Sequence, residues 1–187
     1  LYFLRFGILN WMPAFLGTEM GYTRAQYSMA FSTLEWIAIP GSFLFAWLSA
    51  VLPNRQSIVG CLGLVVLAGL IIFYLGNHNY QLLLVCSGLM GMLVYGPQLI
   101  VNVLTLNLVP LRAAGVAVGF VGLGGYLVGE LSANLVMPLI AERFNWTVSL
   151  LFLAGIAVAT GLLYLSLRAH EVKTVRVDSS RFHQPKP

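Results

Sequence analysis

The apolar positions of this chain fall in long unbroken runs, separated by short polar breaks. Ser57–Gly76, Gln81–Leu111 and Thr147–Leu167 contain no Asp, Glu, Lys or Arg. A helix needs roughly 20 mostly apolar residues to cross the hydrocarbon core of a bilayer, so each run predicts one spanning helix. Ala25–Leu52 and Ala113–Ala141 predict two more, each carrying a single carboxylate, Glu35 and Glu130. Tyr2–Leu16 predicts a sixth, with Arg5 embedded among Leu, Phe, Gly and Ile. The breaks "GTEMGYTR", "LPNRQS", "GNHNY", "VPLR" and "ERFNW" are rich in turn residues and short, which predicts antiparallel hairpins between successive spans. A membrane β-barrel is excluded, because its strands alternate apolar and polar residues over about ten positions.

The expected fold is therefore an all-α membrane protein, with six transmembrane helices bundled over residues 1–168 and a polar tail over 169–187. Composition agrees: 59% hydrophobic residues, 9% charged residues and a mean hydropathy of +0.86 lie outside the range of soluble domains. Arg55, Arg112, Arg168, Lys173, Arg176, Arg181 and Lys186 fall on one side of the zigzag, and Arg24 and Arg143 on the other. Basic residues accumulate on the cytoplasmic side, so the C-terminus is expected in the cytoplasm. The net charge of +4 reflects topology and requires no nucleic-acid partner. Membrane lipid is the expected surroundings. Cys61 and Cys86 lie within apolar spans, as packing thiols do. The first residue is not methionine, and six spans beginning on the cytoplasmic side are expected of the second half of a twelve-helix transporter, with a six-helix N-terminal half as partner.

Polar residues within spans are costly and face a bundle interior or an aqueous cavity. Tyr2 and Arg5 share one helix face. Tyr95, Gln98, Asn102 and Thr105 fall within an arc of about 80° at 100° per residue. Tyr126, Glu130 and Asn134 recur every four residues, and Ser28, Ser32, Glu35 and Ser42 align similarly. Four helices thus each offer a hydrophilic face, the pattern of walls around a cavity. Taken singly, Gln98, Asn102, Thr105 and Asn134 suit interhelical hydrogen bonding as well as ligand binding. Glu35 and Glu130 suit either a gating charge pair with a basic residue or a role in substrate or proton binding.

The glycines of "AAGVAVGFVGLGGYLVGE" include Gly115 with Gly119 and Gly125 with Gly129. That spacing predicts close helix packing, and no strand precedes it as a nucleotide-binding loop would require. Pro40 and Pro97 predict kinks. His78, His170 and His183 fall in loop or tail, no His/Cys group has metal-ligand spacing, and no nucleophile stands beside a base. The reading is of a non-enzyme without cofactor or metal.

The segments "LYFLRFGILNWMPAFL", "LEWIAIPGSFLFAWLS" and "LVYGPQLIVNVLTLNLVPLRAAGVAVGFVGLGGYLVGE" resemble the second half of the organophosphate:phosphate antiporters of the major facilitator superfamily, on the side of their glycerol-3-phosphate branch. The Tyr-x-x-Arg, the later Glu, the Tyr-Gly-Pro and the Gly-Tyr-Leu-x-Gly occur in the family's order. The resemblance implies exchange of a phosphorylated metabolite for inorganic phosphate by alternating access, one arginine from each half gripping the phosphate. It makes Arg5 that arginine in this half, places Tyr2, Tyr95 and Tyr126 at the substrate and Glu35 in an interdomain ionic pair. Gln98 and Asn102 extend the substrate-binding set along the fourth span. Two positions depart from the family. Ala50 stands where the loop after the second span carries Asp, leaving Arg55 as its basic residue. Glu130 matches the acid of the hexose-phosphate branch, but Asn134 occupies the region of that branch's lysine. Two alternatives belong beside the antiporter: a membrane sensor of a sugar phosphate, and a proton-coupled symporter of an organic anion.

Overall fold

The computed structural model describes the backbone of residues 1–52 and 55–182, and their side chains except those of 107, 108, 111, 167 and 169–182. The cationic side chains Lys173, Arg176, Arg181 and Lys186, counted above for topology, lie outside this set. All regular structure among the described residues is helical: α1 (Tyr2–Thr18), α2 (Arg24–Val51), α3 (Gln56–Leu75), α4 (Tyr80–Leu108), a 3-10 turn (Leu111–Ala113), α5 (Ala114–Gly124), a π-helical segment (Gly125–Glu130), α6 (Leu131–Arg143) and α7 (Trp146–Phe182). The run from α5 through the π segment to α6 is one continuous span, Ala114–Arg143.

Five spans have the length and composition to cross a membrane, whereas six were expected from the sequence. The difference is α1, which at 17 residues is shorter than the roughly 20 a bilayer requires. It is nonetheless embedded in the bundle, with Leu4, Ile8, Met12, Phe15 and Leu16 almost wholly buried. The polar stretch after residue 168 continues the helical backbone of α7 to Phe182.

Short polar side chains set the helix starts. The Gln26 side chain accepts from the Thr23 N–H at 3.0 Å, closing a capping box on α2. Asn79 accepts from Gln81 N–H at 3.0 Å at the start of α4, and Asn145 from Val148 N–H at 2.8 Å at that of α7. Gly21 supplies the left-handed residue of the α1–α2 turn, at φ 68°. Tyr22 donates to the His78 carbonyl at 2.8 Å and Tyr80 to the Gln26 carbonyl at 3.1 Å. These bonds place the α1–α2 and α3–α4 loops at the same end, as a zigzag of antiparallel helices requires.

Helix pairing has an internal symmetry that the residues themselves conceal. α2 packs along α4, α3 along α7, and α1 along the π segment and α6. Exchanging the first three spans in order with the last three maps this set of pairs onto itself. Because a helix and its counterpart run in opposite directions, the relation is that of an inverted repeat. The α2–α4 seam is closed by Gly91, where a Cβ would collide with the Leu34 carbonyl carbon at 2.9 Å. The small-residue expectation holds for Gly125 and Gly129, both pressed against Tyr2 of α1. It fails for Gly115 and Gly119, where a Cβ would meet no other atom among the described residues within 4 Å.

The exterior is apolar. Trp36 and Phe43 on α2 are each 72% exposed, and Val116 and Phe120 on α5 each 76%. Patches of that kind are rare on soluble monomers and suit hydrocarbon or another apolar protein surface.

Candidate functional site

The site is built where α1, α2 and α4 meet. Arg5 enters from the first turns of α1, with its guanidinium carbon 4.4 Å from the centre of the Tyr95 ring and 5.3 Å from that of Phe6. Both lie within the range of cation–π attraction. Its Nη1 donates to Gln98 Oε1 at 3.4 Å, a long hydrogen bond, and its buried Nε has no hydrogen-bond partner among the described residues. Tyr95 and Gln98 reach the same guanidinium because they are three residues apart on α4.

Behind Tyr95 stands Glu35 of α2. The Tyr95 phenol donates to its two carboxylate oxygens at 2.8 and 3.1 Å. Glu35 thus takes a phenol as its partner, and among the described residues it has no basic one. Interposing the tyrosine leaves the guanidinium donors of Arg5 uncommitted to a carboxylate. An arginine offers five N–H donors in a planar fork, and among the described residues Gln98 accepts from one of them.

An aromatic cluster flanks the arginine. Tyr126 lies 5.5 Å from both Tyr2 and Phe6, with Tyr2 and Phe6 themselves 6.5 Å apart. Tyr2, Gln98 and Asn102 line a cavity of about 440 Å³ together with Thr160 and Tyr164 of α7. Gln98 connects the cavity to Arg5, since it both lines the one and accepts from the other. Tyr164 is held by a 2.6 Å hydrogen bond to the Pro97 carbonyl, which ties α7 to α4 at its proline.

Of the residues expected from the sequence, Arg5, Tyr95, Gln98 and Glu35 are in direct contact. Tyr2 and Tyr126 meet one another, and Asn102 joins through the cavity. Glu130 is half-buried and has no hydrogen-bond or ion-pair partner among the described residues. Ser42 and Thr105 instead bond their own helix, to the Ala38 carbonyl at 2.9 Å and the Val101 carbonyl at 2.8 Å. Their hydroxyls serve the backbone. Sequence reasoning missed Phe6 and Asn10. Both were legible as the continuation of Tyr2 at intervals of four, yet Phe6 reads as lipid-facing and Asn10 stands alone. Asn10 Nδ2 donates to Asn134 Oδ1 at 2.9 Å, joining α1 to α6. The π segment was also missed, because no residue type marks it.

An all-helical bundle with several membrane-length apolar helices, and an arginine held inside it by aromatic faces, is the architecture of a multi-pass membrane protein. The model of the Major Facilitator Superfamily matches residues 1–186, and the chain belongs to that family. It is 28% identical over 172 residues to the glycerol-3-phosphate transporter of Bacillus subtilis, an alignment covering 89% of this chain and 38% of that protein. To the hexose-6-phosphate:phosphate antiporter of Escherichia coli K12 it is 32% identical over 142 residues, covering 76% of the chain and 31% of the relative. To the membrane sensor protein UhpC of Salmonella typhimurium it is 29% identical over 174 residues, covering 89% and 38% respectively. The chain thus spans between about a third and two fifths of the length of these relatives.

Proposed function

We propose that this chain is the C-terminal six-helix half of a carrier that exchanges a phosphorylated small metabolite for inorganic phosphate by alternating access, with Arg5 as its phosphate ligand. The observation that carries the reading is the state of Arg5. The guanidinium lies in an apolar helix, stacked on Tyr95, with a long hydrogen bond to Gln98 and a buried Nε that has no hydrogen-bond partner among the described residues. A charge in such a place marks a functional site. A planar fork of donors matches the oxygens of a phosphate. One arginine balances only part of a dianion, so the proposal places a second basic group in the N-terminal half. The names of the transporter and antiporter relatives support this substrate class.

The carrier resides in the cell inner membrane with its C-terminus in the cytoplasm. Substrate binds between the two halves, so the 187-residue chain alone does not transport. Tyr2, Tyr95 and Tyr126 border the substrate, while Glu35 and Glu130 serve as gating or charge-pair residues. Similarity to a membrane sensor favours a second reading, in which the same site detects a sugar phosphate without net flux.

The test is phosphate–phosphate exchange and organophosphate counterflow in vesicles containing the complete carrier. Saturable exchange dependent on Arg5 is the expected result. Specific binding of an organophosphate without any flux would replace the carrier reading with the sensor.

A further inference from the structure

The span Ala114–Arg143 departs from α-helical winding between α5 and α6, and it does so where it packs on α1. Gly125–Glu130 forms a π-helical turn there, and single-turn insertions of this kind lie frequently at functional sites. From the geometry we infer that Ser132 is a positioning residue: its hydroxyl fixes the register of the π segment and thereby holds Tyr126 against Tyr2 and Phe6, beside the phosphate. This rests on the phosphate being held at Arg5, as proposed above.

The register decides which side chains meet α1. Tyr126 packs on Tyr2 and Phe6 with ring centres 5.5 Å from each, and Asn134 accepts from Asn10 at 2.9 Å. In a regular α-helix, residues eight apart stand about 80° out of line. A π turn takes up one extra residue, which reduces that offset to about 20°. Tyr126 and Asn134 therefore reach the same neighbouring helix because the wide turn falls between them.

The glycines require the same register. A Cβ at Gly125 or Gly129 would run into Tyr2. A slip of one residue brings either Tyr126 and Glu130 or Gly124 and Val128 to those two places, and each pair includes a side chain for which Tyr2 leaves no room. Tyr2 and Tyr126 thus keep their positions together or lose them together.

Ser132 is the second residue of α6, just past the π segment. Its hydroxyl donates to the carbonyls of Val128 and, at 3.1 Å, of Gly129, both within the segment. The Leu131 N–H also turns back to the Val128 carbonyl. At this end of a π turn the amide pairing returns from five residues back to four, and the ladder passes over one carbonyl. A hydroxyl donor at the junction steadies the backbone where its own pairing is weakest. Ser42, Thr105 and Thr160 are different, each bonding a single carbonyl four residues back within α2, α4 and α7.

The experiment uses the complete carrier reconstituted with internal phosphate, and reads the half-saturating concentration and the maximal rate of phosphate exchange. Ser132→Ala is expected to raise the half-saturating concentration about fivefold, the effect of one neutral hydrogen bond, with the maximal rate and the amount of protein in the membrane unchanged. Ser132→Thr, which keeps the hydroxyl, is expected to retain the unmodified value. In a Tyr126→Ala background, Ser132→Ala is expected to add nothing, because its effect on substrate runs through Tyr126. An unchanged half-saturating concentration in Ser132→Ala overturns the role, as does a loss in Ser132→Thr equal to that in Ser132→Ala. A fivefold loss that persists undiminished in the Tyr126→Ala background assigns the serine to general packing and also overturns it. So does loss of the Ser132→Ala protein from the membrane, since the hydroxyl then serves folding. Absence of any phosphate exchange by the unmodified carrier instead overturns the antiport reading, and this role with it.

Discussion

Tyr95 holds Glu35 and Arg5 apart: its phenol donates to the Glu35 carboxylate at 2.8 Å, and its ring faces the Arg5 guanidinium at 4.4 Å. Opposite charges from two helices are thus linked without forming an ion pair. A direct pair would consume the donors that an anion needs. Tyr95→Phe keeps the ring under Arg5 but leaves the carboxylate unpartnered, free to compete for the guanidinium. Loss of a hydrogen bond to a charged group is worth about 1.5–3 kcal/mol. Apparent phosphate affinity in the complete carrier should fall by roughly tenfold, and Tyr95→Phe/Glu35→Gln should recover most of it. Inhibition constants from phosphate exchange measure both. A double variant no better than Tyr95→Phe alone would refute competition by Glu35.

Arg5 itself should distinguish charge from geometry. Arg5→Lys retains the positive charge but loses the planar fork and its stacking on Tyr95. Phosphate binding should weaken by about 1–3 kcal/mol, the scale of a charge-assisted hydrogen bond. Arg5→Ala should abolish exchange while the protein still reaches the membrane, since it removes a costly intramembrane charge. Near-normal exchange by the Ala variant at equal protein level would assign Arg5 an anchoring role instead.

Tyr2 is seated by two glycines, and that seat can be tested separately from the chemistry. A Cβ at Gly125 or Gly129 would run into Tyr2, whereas one at Gly115 would meet open space. Gly125→Val should therefore cost about 1–3 kcal/mol, the usual range for overpacking, and displace Tyr2 from Tyr126. Gly115→Ala should be neutral or stabilising by up to about 1 kcal/mol, from helix propensity. Thermal unfolding in detergent, followed by tyrosine and tryptophan fluorescence, compares them. Equal melting temperatures for the two variants would contradict the packing described for the π segment.

Glu130, unpartnered among the described residues, places a negative charge one turn beyond Tyr126. Removing it should favour the more highly charged ligand. Glu130→Gln is expected to shift the ratio of inorganic- to organic-phosphate affinity by on the order of threefold to tenfold, through a charge acting across several ångströms of partly dehydrated space. Competition assays at equal expression measure the ratio. An unchanged ratio would confine Glu130 to structure.

What the sequence determined by itself was the class of molecule and the residues worth watching. Uncharged runs of about 20 residues have one stable setting, because every backbone polar group must be satisfied within lipid and a helix does so locally. An arginine in such a run is conspicuous for the same energetic reason, as are Glu35 and Glu130. Periodicity further placed Tyr95 and Gln98 on a common face, which the structure bears out at the guanidinium.

Partnerships were a different matter. Whether Glu35 would find a cation or a phenol depends on how α2 lies along α4, a crossing set by the close approach of Gly91 to Leu34, residues 57 positions apart in the chain. Asn10 gained a meaning only beside Asn134, 124 residues away. The inverted pairing of the helices leaves little trace in the residues, since many apolar sequences fill the same contacts. The π segment likewise turns on one shifted backbone register. Local periodicity reports which face of a helix is polar; only packing decides which polar groups meet across it.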